Sequence, residues 1–198
     1  MLNGPSEVLL TTEGVEGLSY TMERDSLGAG LAFERVFLTY FPRIVTVLYR
    51  VVGDRTRAEE LSNEVFWRAY RQWSSRAVNR NFGGWLYRTA TNLGIEDLRV
   101  TARRKRYEGI AGERTPNEGA LPTPLDGLLK EETRIQVQEV LSSMKKWKAQ
   151  ILILRSSGLS YEELASALGF KRSSVGTMLA RAETEFHKRY FRMHGSEE

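Results

Sequence analysis

Residues 159–183, with the sequence LSYEELASALGFKRSSVGTMLARAE, predict two helices joined by a tight turn. Ser160 stands three residues before Glu163, which is the spacing of a capping box, where each side chain satisfies an orphan backbone N–H of the other residue. Gly169 can take the left-handed conformation that ends a helix. The residues expected to face inward are Tyr161, Leu164, Ala165, Leu168, Val175, Leu179 and Ala182. This pattern is typical of a helix-turn-helix.

The outward face of the second helix is basic and hydroxylic, which suits the major groove of DNA. Gly176 and Met178, however, occupy positions where Lys or Arg would serve a DNA reader better. Gly176 costs about 1 kcal/mol of helix stability relative to Ala. Its lack of a side chain could instead permit close approach to a protein or phosphate backbone. A helical hairpin that only packs is the alternative. The outward residues are Lys171, Arg172, Ser174, Thr177 and Arg181.

The rest of the chain is also helical in its periodicity, and no stretch alternates with the period of a strand. Apolar residues recur at helical spacing from Leu31 to Val52, where Pro42 predicts two helices or one kinked helix. Gly53 should end this unit and Asp54 should cap the next helix. The segments that follow are a helix over 54–73, a polar loop over 74–81, a helix over 82–106, a linker over 107–127 and two helices before residue 159. The predicted fold is therefore all-α, with two small helical domains joined by a flexible linker.

Composition and charge indicate a globular protein with a polyanionic partner. The 198 residues include no cysteine, which excludes disulfides and thiolate metal sites. No run approaches the roughly 18 apolar residues of a membrane span, and the N-terminus lacks the pattern of a signal peptide, so we expect a cytoplasmic protein. Residues 33–106 hold fifteen basic and seven acidic residues, a net charge of +8, whereas residues 1–32 carry −4. This asymmetry favours nucleic acid as a partner over a solvated basic face.

Three stretches, AEELSNEVFWRAYRQW, GGWLYRTATNLGIEDLR and GLSYEELASALGF, together resemble the extracytoplasmic-function (ECF) sigma factors of bacterial RNA polymerase. The motifs stand in the order and spacing of that family. The resemblance implies a protein that binds core polymerase, recognises and melts promoter DNA, and directs transcription initiation. The implied division is a flexible acidic tail over 1–27, a region 2 domain over 28–106, the linker over 107–127, a region 4 helix-turn-helix domain over 128–192 and a tail over 193–198.

The resemblance also implies three binding surfaces. The surface for the clamp helices of the largest polymerase subunit comprises Glu60, Leu61, Asn63, Glu64, Val65 and Phe66, with Asn63 where the family usually has Gln. The surface for the melted minus-ten element comprises Asn79, Arg80, Asn81, Arg88, Asn92, Arg103 and Arg104. The surface for the duplex minus-thirty-five element comprises Ser160, Tyr161, Lys171, Arg172, Ser173, Ser174, Thr177 and Arg181.

Several of these residues also fit a purely structural role. Val65 and Phe66 could belong to the core instead of a docking surface. Trp85 is favoured as a core residue over a stacking platform for bases, because it shares an inward stripe with Leu86 and Leu93. Departure from the family at Gly176 and Met178 predicts a divergent promoter sequence.

No catalytic, metal or cofactor site is expected. The two histidines, His187 and His194, have no positioned acid or nucleophile, and the GAG at 28–30 is too short for a phosphate loop. Two alternative functions stay open: a sigma-like module that sequesters an anti-sigma factor, and a stand-alone helix-turn-helix regulator. The resemblance implies an anti-sigma factor as a further partner and no membrane contact of the chain's own. The acidic segment 1–27 could shield the basic domain.

Overall fold

The computed structural model describes the backbone of residues 13–73, 81–108 and 124–195. Side chains are described from residue 30 onward in these ranges, other than those of residues 105, 106, 108 and 124–130. All the regular elements within the described ranges are helices, which confirms the predicted all-α class. None of these helices is long and apolar enough to cross a membrane.

Three helices form the N-terminal half: α1 (Glu13–Val52), α2 (Arg55–Arg71) and α3 (Phe82–Glu108). Each has one apolar face, and the three faces meet in a common core. Burial of a large aliphatic side chain in such a core contributes about 1.5–3 kcal/mol. The fully buried members of this core are Ile44, Leu48, Val51, Val52, Ala58, Val65, Ala69, Leu86, Ala90 and Ile95.

Helix α1 differs from the sequence-based expectation in two respects. It begins at Glu13, so the expectation of a flexible tail is wrong for residues 13–27, whereas residues 1–12 lie outside the described ranges. Extending an existing helix is much easier than nucleating a new one, which explains how it reaches this far. The helix is also continuous through Pro42. Phe37 and Phe41, just before the proline, both pack on Phe66 of α2, and packing of this kind offsets the roughly 3 kcal/mol cost of an interior proline.

The junction between α1 and α2 forms as predicted. Gly53 has a positive φ of 73° after the last residue of α1. Asp54 is the N-cap of α2, and its carboxylate accepts a hydrogen bond from the backbone N–H of Arg57 at 2.7 Å. The turn therefore depends on two neighbouring residues, Gly53 and Asp54, and could be predicted from the sequence.

The C-terminal half consists of α4 (Pro124–Ser143), α5 (Lys146–Ser156), α6 (Tyr161–Leu168), a 3-10 turn (Arg172–Ser174) and α7 (Val175–His194). Both ends of the predicted linker are helical, since α3 continues to Glu108 and α4 begins at Pro124; residues 109–123 lie outside the described ranges. The core of this half is built by Val140, Ile151, Leu154, Leu164, Val175, Leu179 and Ala182.

The two halves, predicted as domains joined by a linker, are in direct contact. Helix α3 packs against α4, α5 and α6, so it is shared between the halves. Part of this interface is buried and polar: the Gln138 side chain donates to the backbone carbonyl of Val51 at 2.9 Å. This interface is the main architectural feature that periodicity alone did not predict.

Candidate nucleic-acid interface

The first helix of the helix-turn-helix, α6, has the predicted capping box. The backbone N–H of Ser160 donates to a carboxylate oxygen of Glu163 at 2.8 Å, and the backbone N–H of Glu163 donates to the Ser160 hydroxyl at 3.3 Å. These hydrogen bonds from Ser160 hold the pKa of Glu163 below its ordinary value. Gly169 ends the helix with a φ of 74°, also as predicted. Local contacts thus define both ends of α6.

The predicted duplex-reading face is exposed. Arg172 and Glu162 lie 3.6 Å apart with about three quarters of each side chain in solvent, a pair that contributes little to stability. Tyr161, which was expected to face inward, is 42% exposed, and its ring lies 5.5 Å from the guanidinium of Arg155. Ser160 is exposed but already engaged in the capping box. The exposed members of this face are Lys171, Arg172, Ser173, Thr177 and Arg181, and Ser174 is half-buried.

Gly176 and Met178, the two residues that depart from the family, have different surroundings. A Cβ atom on Gly176 would meet the Tyr161 ring at 3.7 Å, which is ordinary contact, so no neighbouring protein backbone requires a glycine here. Met178 is half-buried and packs against the core. Position 176 therefore accommodates a Cβ atom without a clash, whereas Met178 contributes to the packing of the fold.

The residues predicted to capture the minus-ten element lie at the interface between the halves. The Arg88 guanidinium on α3 donates to the carbonyl of Ala167 at 2.7 Å, and the Asn81 amide donates to the carbonyl of Ser166 at 2.6 Å. Asn92 accepts a hydrogen bond from the Gln150 side chain on α5 at 2.9 Å. The structure thus brings these three residues together, but with partners from the C-terminal half.

The other predicted minus-ten residues are less confined. Arg103 and Arg104 are exposed near the end of α3, and a guanidinium nitrogen of Arg103 lies 3.7 Å from a carboxylate oxygen of Glu96. Asn79 and Arg80 lie outside the described residues. Trp85 is half-buried and packs against the core, as the shared stripe with Leu86 predicts.

The predicted polymerase-docking residues on α2 divide into two faces. Leu61, Val65 and Phe66 are at most 7% exposed and belong to the core, so the prediction that these three side chains dock a partner needs correction. Helical spacing places them on the inward face with Ala58 and Ala69, where they hold α2 against α1. Glu60 and Asn63 are exposed, and Glu64 is partly exposed and paired with Arg68 at 2.6 Å.

Trp67 and Tyr70 are not among the six docking residues that the resemblance implies, although an exposed Trp67 was the alternative to Phe66 as the aromatic anchor. They are 56% and 58% exposed, and their rings stack with centroids 6.4 Å apart. The ring of Phe33 meets Tyr70 edge-on at 5.3 Å. The motif WRAYR contains the signal, because residues 67 and 70 share a helix face that the inward stripe leaves free. Exposed aromatic side chains with a charged rim are typical anchors of protein interfaces.

Within the described ranges, no group of three or more His, Cys, Asp or Glu side chains is arranged to hold a metal ion. The fold and these surfaces define a class of protein: an all-helical chain with a basic three-helix half and a helix-turn-helix half. Both halves carry cations that suit phosphates.

Comparisons with known proteins agree with this class. The sigma-70 region 2 profile matches residues 36–104. The chain is 30% identical to the RNA polymerase sigma factor YlaC of Bacillus subtilis, over 79% of this chain and 91% of that protein. It is 29% identical to the ECF RNA polymerase sigma factor SigW of the same organism, over 79% of this chain and 88% of that protein. A solved structure of the sigma factor RpoE from Bartonella quintana, in complex with the anti-sigma factor NepR, covers 82% of this chain and 98% of its own at 18% identity with a TM-score of 0.49.

The chain therefore belongs to the ECF sigma factors of bacterial RNA polymerase. The region 2 match covers α2 and most of α3, together with the part of α1 that packs on them. The family resemblance read from the three sequence motifs is confirmed.

Proposed function

We propose that this sigma factor acts at promoters through three surfaces, one each for the minus-thirty-five element, the minus-ten element and core polymerase. The observation that carries the proposal is the exposed basic face at the start of α7. Lys171 and Arg172 precede the helix and Arg181 lies on it, all three in solvent. The N-terminal residues of a recognition helix contact base edges, and cations beside them contact phosphates.

The minus-ten surface comprises the polar residues of α3 together with the segment before it. Arg88 supplies a cation for the strand backbone, and Asn81 and Asn92 supply hydrogen bonds for bases. Arg103 and Arg104 extend the same helix toward the upstream duplex. Asn79 and Arg80 complete the predicted pocket for a flipped base.

The polymerase surface is the outward face of α2. Trp67 and Tyr70 provide apolar contact area, and Asn63 with Glu64 provides a polar rim, a combination common at protein interfaces. This replaces the buried Leu61, Val65 and Phe66 as the side chains that meet the partner. These three instead hold the surface in place from beneath.

Three further features complete the proposal. The chain acts without catalysis or a cofactor of its own, and it works in the cytoplasm, where its polymerase is. An anti-sigma factor is a third partner, since ECF sigma factors are commonly held inactive by one. The departure at Gly176 supports a promoter sequence that differs from the family's common motif.

The test is transcription in vitro by core polymerase reconstituted with the full chain on a library of random promoter fragments. Initiation from a selected subset is expected. Changing Lys171 and Arg172 together to Ala should reduce initiation about tenfold or more, because each such contact typically contributes about 1–3 kcal/mol. Arg192→Ala is the matched control, since this exposed cation lies at the far end of the same helix.

The outcomes separate the candidate functions. A module that only sequesters an anti-sigma factor would bind no promoter and give no initiation. A stand-alone regulator would bind duplex DNA but would give no initiation with core polymerase. Either result contradicts the proposal.

A further inference from the structure

Arginines of the N-terminal half bind the C-terminal ends of helices in the other half. Arg88 donates to Ala167 at the end of α6, at 2.7 Å. Arg99 donates to the carbonyls of Ser142 at 3.2 Å and Met144 at 3.0 Å, where α4 ends. The end of α5 is bound in the same way, with Arg50 donating to the carbonyl of Ser156.

These contacts have a common physical basis. The last carbonyls of a helix lack intrahelical partners and together carry about half a negative charge. A guanidinium satisfies the free carbonyls and complements that charge. The basic half of the chain thus binds the negative helix ends of its own C-terminal half, much as it would bind phosphates.

Amide side chains add to the same interface. The side chains of Asn81 and Ser166 hydrogen-bond to each other, and Asn81 also donates to the Ser166 carbonyl. Deeper in the interface, Gln150 donates to the Thr91 hydroxyl at 3.1 Å and to Asn92 at 2.9 Å. Gln150 is only 6% exposed and Thr91 is fully buried, so this hydrogen bond lies in a part of the interface that excludes solvent.

Three residues of the proposed minus-ten surface are consequently occupied. Asn81, Arg88 and Asn92 all bond to the C-terminal half, and α6 lies directly on α3. Asn81 and Asn92 are half-buried, and Arg88, although its side chain is largely in solvent, donates to α6, so a DNA strand that binds all three must displace these contacts. The proposed minus-thirty-five face, by contrast, remains in solvent, as Lys171 and Arg172 show.

We propose that this closed arrangement is autoinhibitory: the helix-turn-helix half occupies the surface that captures the melted minus-ten strand, and promoter melting requires the halves to separate. The inference rests on the proposed function, since it assumes that α3 binds the strand. The strand competes effectively because a phosphate carries a full negative charge, whereas a helix end carries roughly half of one. Duplex binding by α7 is compatible with both arrangements.

The experiment uses a disulfide to hold the halves together. The chain has no cysteine, so the double variant Asn81→Cys, Ser166→Cys places its only two thiols at contacting positions. Binding of a fluorescein-labelled, random-sequence single strand of DNA is measured by anisotropy for the oxidised and the reduced forms of this full-length variant. A random-sequence duplex is measured in parallel.

Reduction should strengthen single-strand binding about tenfold or more, since the locked form has almost no competent population. Duplex binding should stay the same. The increase should disappear when Arg88→Ala is added, because the strand then lacks its main cation on α3. Each single-cysteine variant, treated with the same oxidant, controls for effects of oxidation.

Other results would overturn the inference. If the disulfide does not form, the contact between positions 81 and 166 is not populated. If both redox forms bind the strand equally, the closed interface does not inhibit, whereas transcription by the reduced protein would still support the proposed function. If neither form binds the strand and the wild type does not bind it either, both the autoinhibition and the minus-ten assignment are wrong.

A second variant tests the inference without cysteines. Gln150→Ala removes the hydrogen bonds to Thr91 and Asn92 but changes no residue proposed to bind DNA. It should favour opening and strengthen single-strand binding several-fold, as expected when a larger fraction of the protein is competent. The matched control is Gln136→Ala, because Gln136 accepts a hydrogen bond from Tyr190 within the C-terminal half. Unchanged strand binding by Gln150→Ala would count against autoinhibition.

Discussion

Ser160 and Glu163 exchange hydrogen bonds in both directions at the start of α6, from the Ser160 N–H at 2.8 Å and from the Glu163 N–H at 3.3 Å. The pair depends on the charged carboxylate, because its oxygen accepts hydrogen bonds from both the backbone and the hydroxyl of Ser160. The first helix of the helix-turn-helix is thus anchored by a group that titrates in acid.

We expect Ser160→Ala to lower the free energy of unfolding by about 1 kcal/mol, the usual cost of losing an N-cap. Denaturant titration followed by circular dichroism measures this change. Thr184→Ala is the control, since its hydroxyl only bonds to the carbonyl of Ala180 within α7. Equal effects of the two substitutions would contradict a specific role of the cap.

The pKa of Glu163 predicts a pH dependence of stability. Hydrogen bonds from Ser160 lower this pKa in the folded state, so the folded state binds the proton less readily than the unfolded state. The stabilisation is therefore complete above the ordinary carboxyl pKa and is lost as the pH falls through the depressed one. In Glu163→Gln this contribution is absent, so the difference in stability from the wild type should shrink on acidification. A difference that grows on acidification would refute the assignment.

Gly176 and Gly169 should respond to alanine with opposite signs. Gly176→Ala should stabilise the protein by up to about 1 kcal/mol, because the new Cβ meets only the Tyr161 ring at contact distance and alanine favours a helix. Gly169→Ala should destabilise it by about 1 kcal/mol, because a φ of 74° strains a residue with a side chain. Thermal unfolding of both variants checks the signs, and a stabilising Gly169→Ala would be the contradictory result.

The room for a Cβ atom at position 176 predicts that a cation there would strengthen DNA binding. A lysine there would lie near Thr177 on the exposed start of α7, where the family usually has a cation. Gly176→Lys should strengthen binding to random-sequence duplex DNA several-fold and steepen its salt dependence by about one released counterion. Gly176→Gln is the neutral control of similar length. If both variants bind alike, the cation at this position has no electrostatic role.

The features that the sequence predicted correctly are those fixed by local chemistry. The caps at Asp54 and Ser160 and the left-handed turns at Gly53 and Gly169 each depend on residues within one helical turn. Helical periodicity likewise identified most inward faces, with Leu86 as an example. The assignment of Phe66 to a docking surface was wrong because adjacent aromatic residues on a helix look alike in composition, and only the packing of α1 decides which one is buried.

The interface between the halves could not be predicted from the sequence, for a different reason. Its contacts run from side chains such as Arg88 to backbone carbonyls 79 residues away, as at Ala167. A carbonyl exists at every residue, so no residue type marks the acceptor. The cations were visible as a net charge of +8 over 33–106, which predicted an anionic partner but could not indicate that helix ends in the same chain would serve as one.

Phe66 and Trp67 are neighbours in α2 with opposite environments, 3% and 56% exposed. Phe66→Ala should cost about 3–5 kcal/mol of stability, because it leaves a cavity where four aromatic residues meet. Trp67→Ala should change stability little but weaken binding to core polymerase by about 2 kcal/mol or more, as for an interface anchor. Denaturant titration and a fluorescence binding assay separate the two effects. Phe191→Ala, an exposed aromatic on α7, is the control for binding, and a loss equal to that of Trp67→Ala would refute the assignment.

Lys148 and Glu185 form an ion pair that joins α5 to α7, with only 17% and 21% of their side chains exposed. The hydrogen bond from Lys148 holds the pKa of Glu185 below its ordinary value, with Arg189 adding to the effect. Lys148→Met removes the main partner of the partly buried Glu185 carboxylate and leaves it only the ion pair with Arg189, so it should cost about 1–3 kcal/mol. The double variant with Glu185→Leu should recover much of this loss, because no unpaired charge of the pair remains. A double-mutant cycle by denaturant titration measures the coupling.

The exposed pair Arg55 and Glu59 provides the comparison and should show a coupling below about 1 kcal/mol. Equal coupling energies for the two pairs would show that burial does not strengthen the Lys148–Glu185 pair.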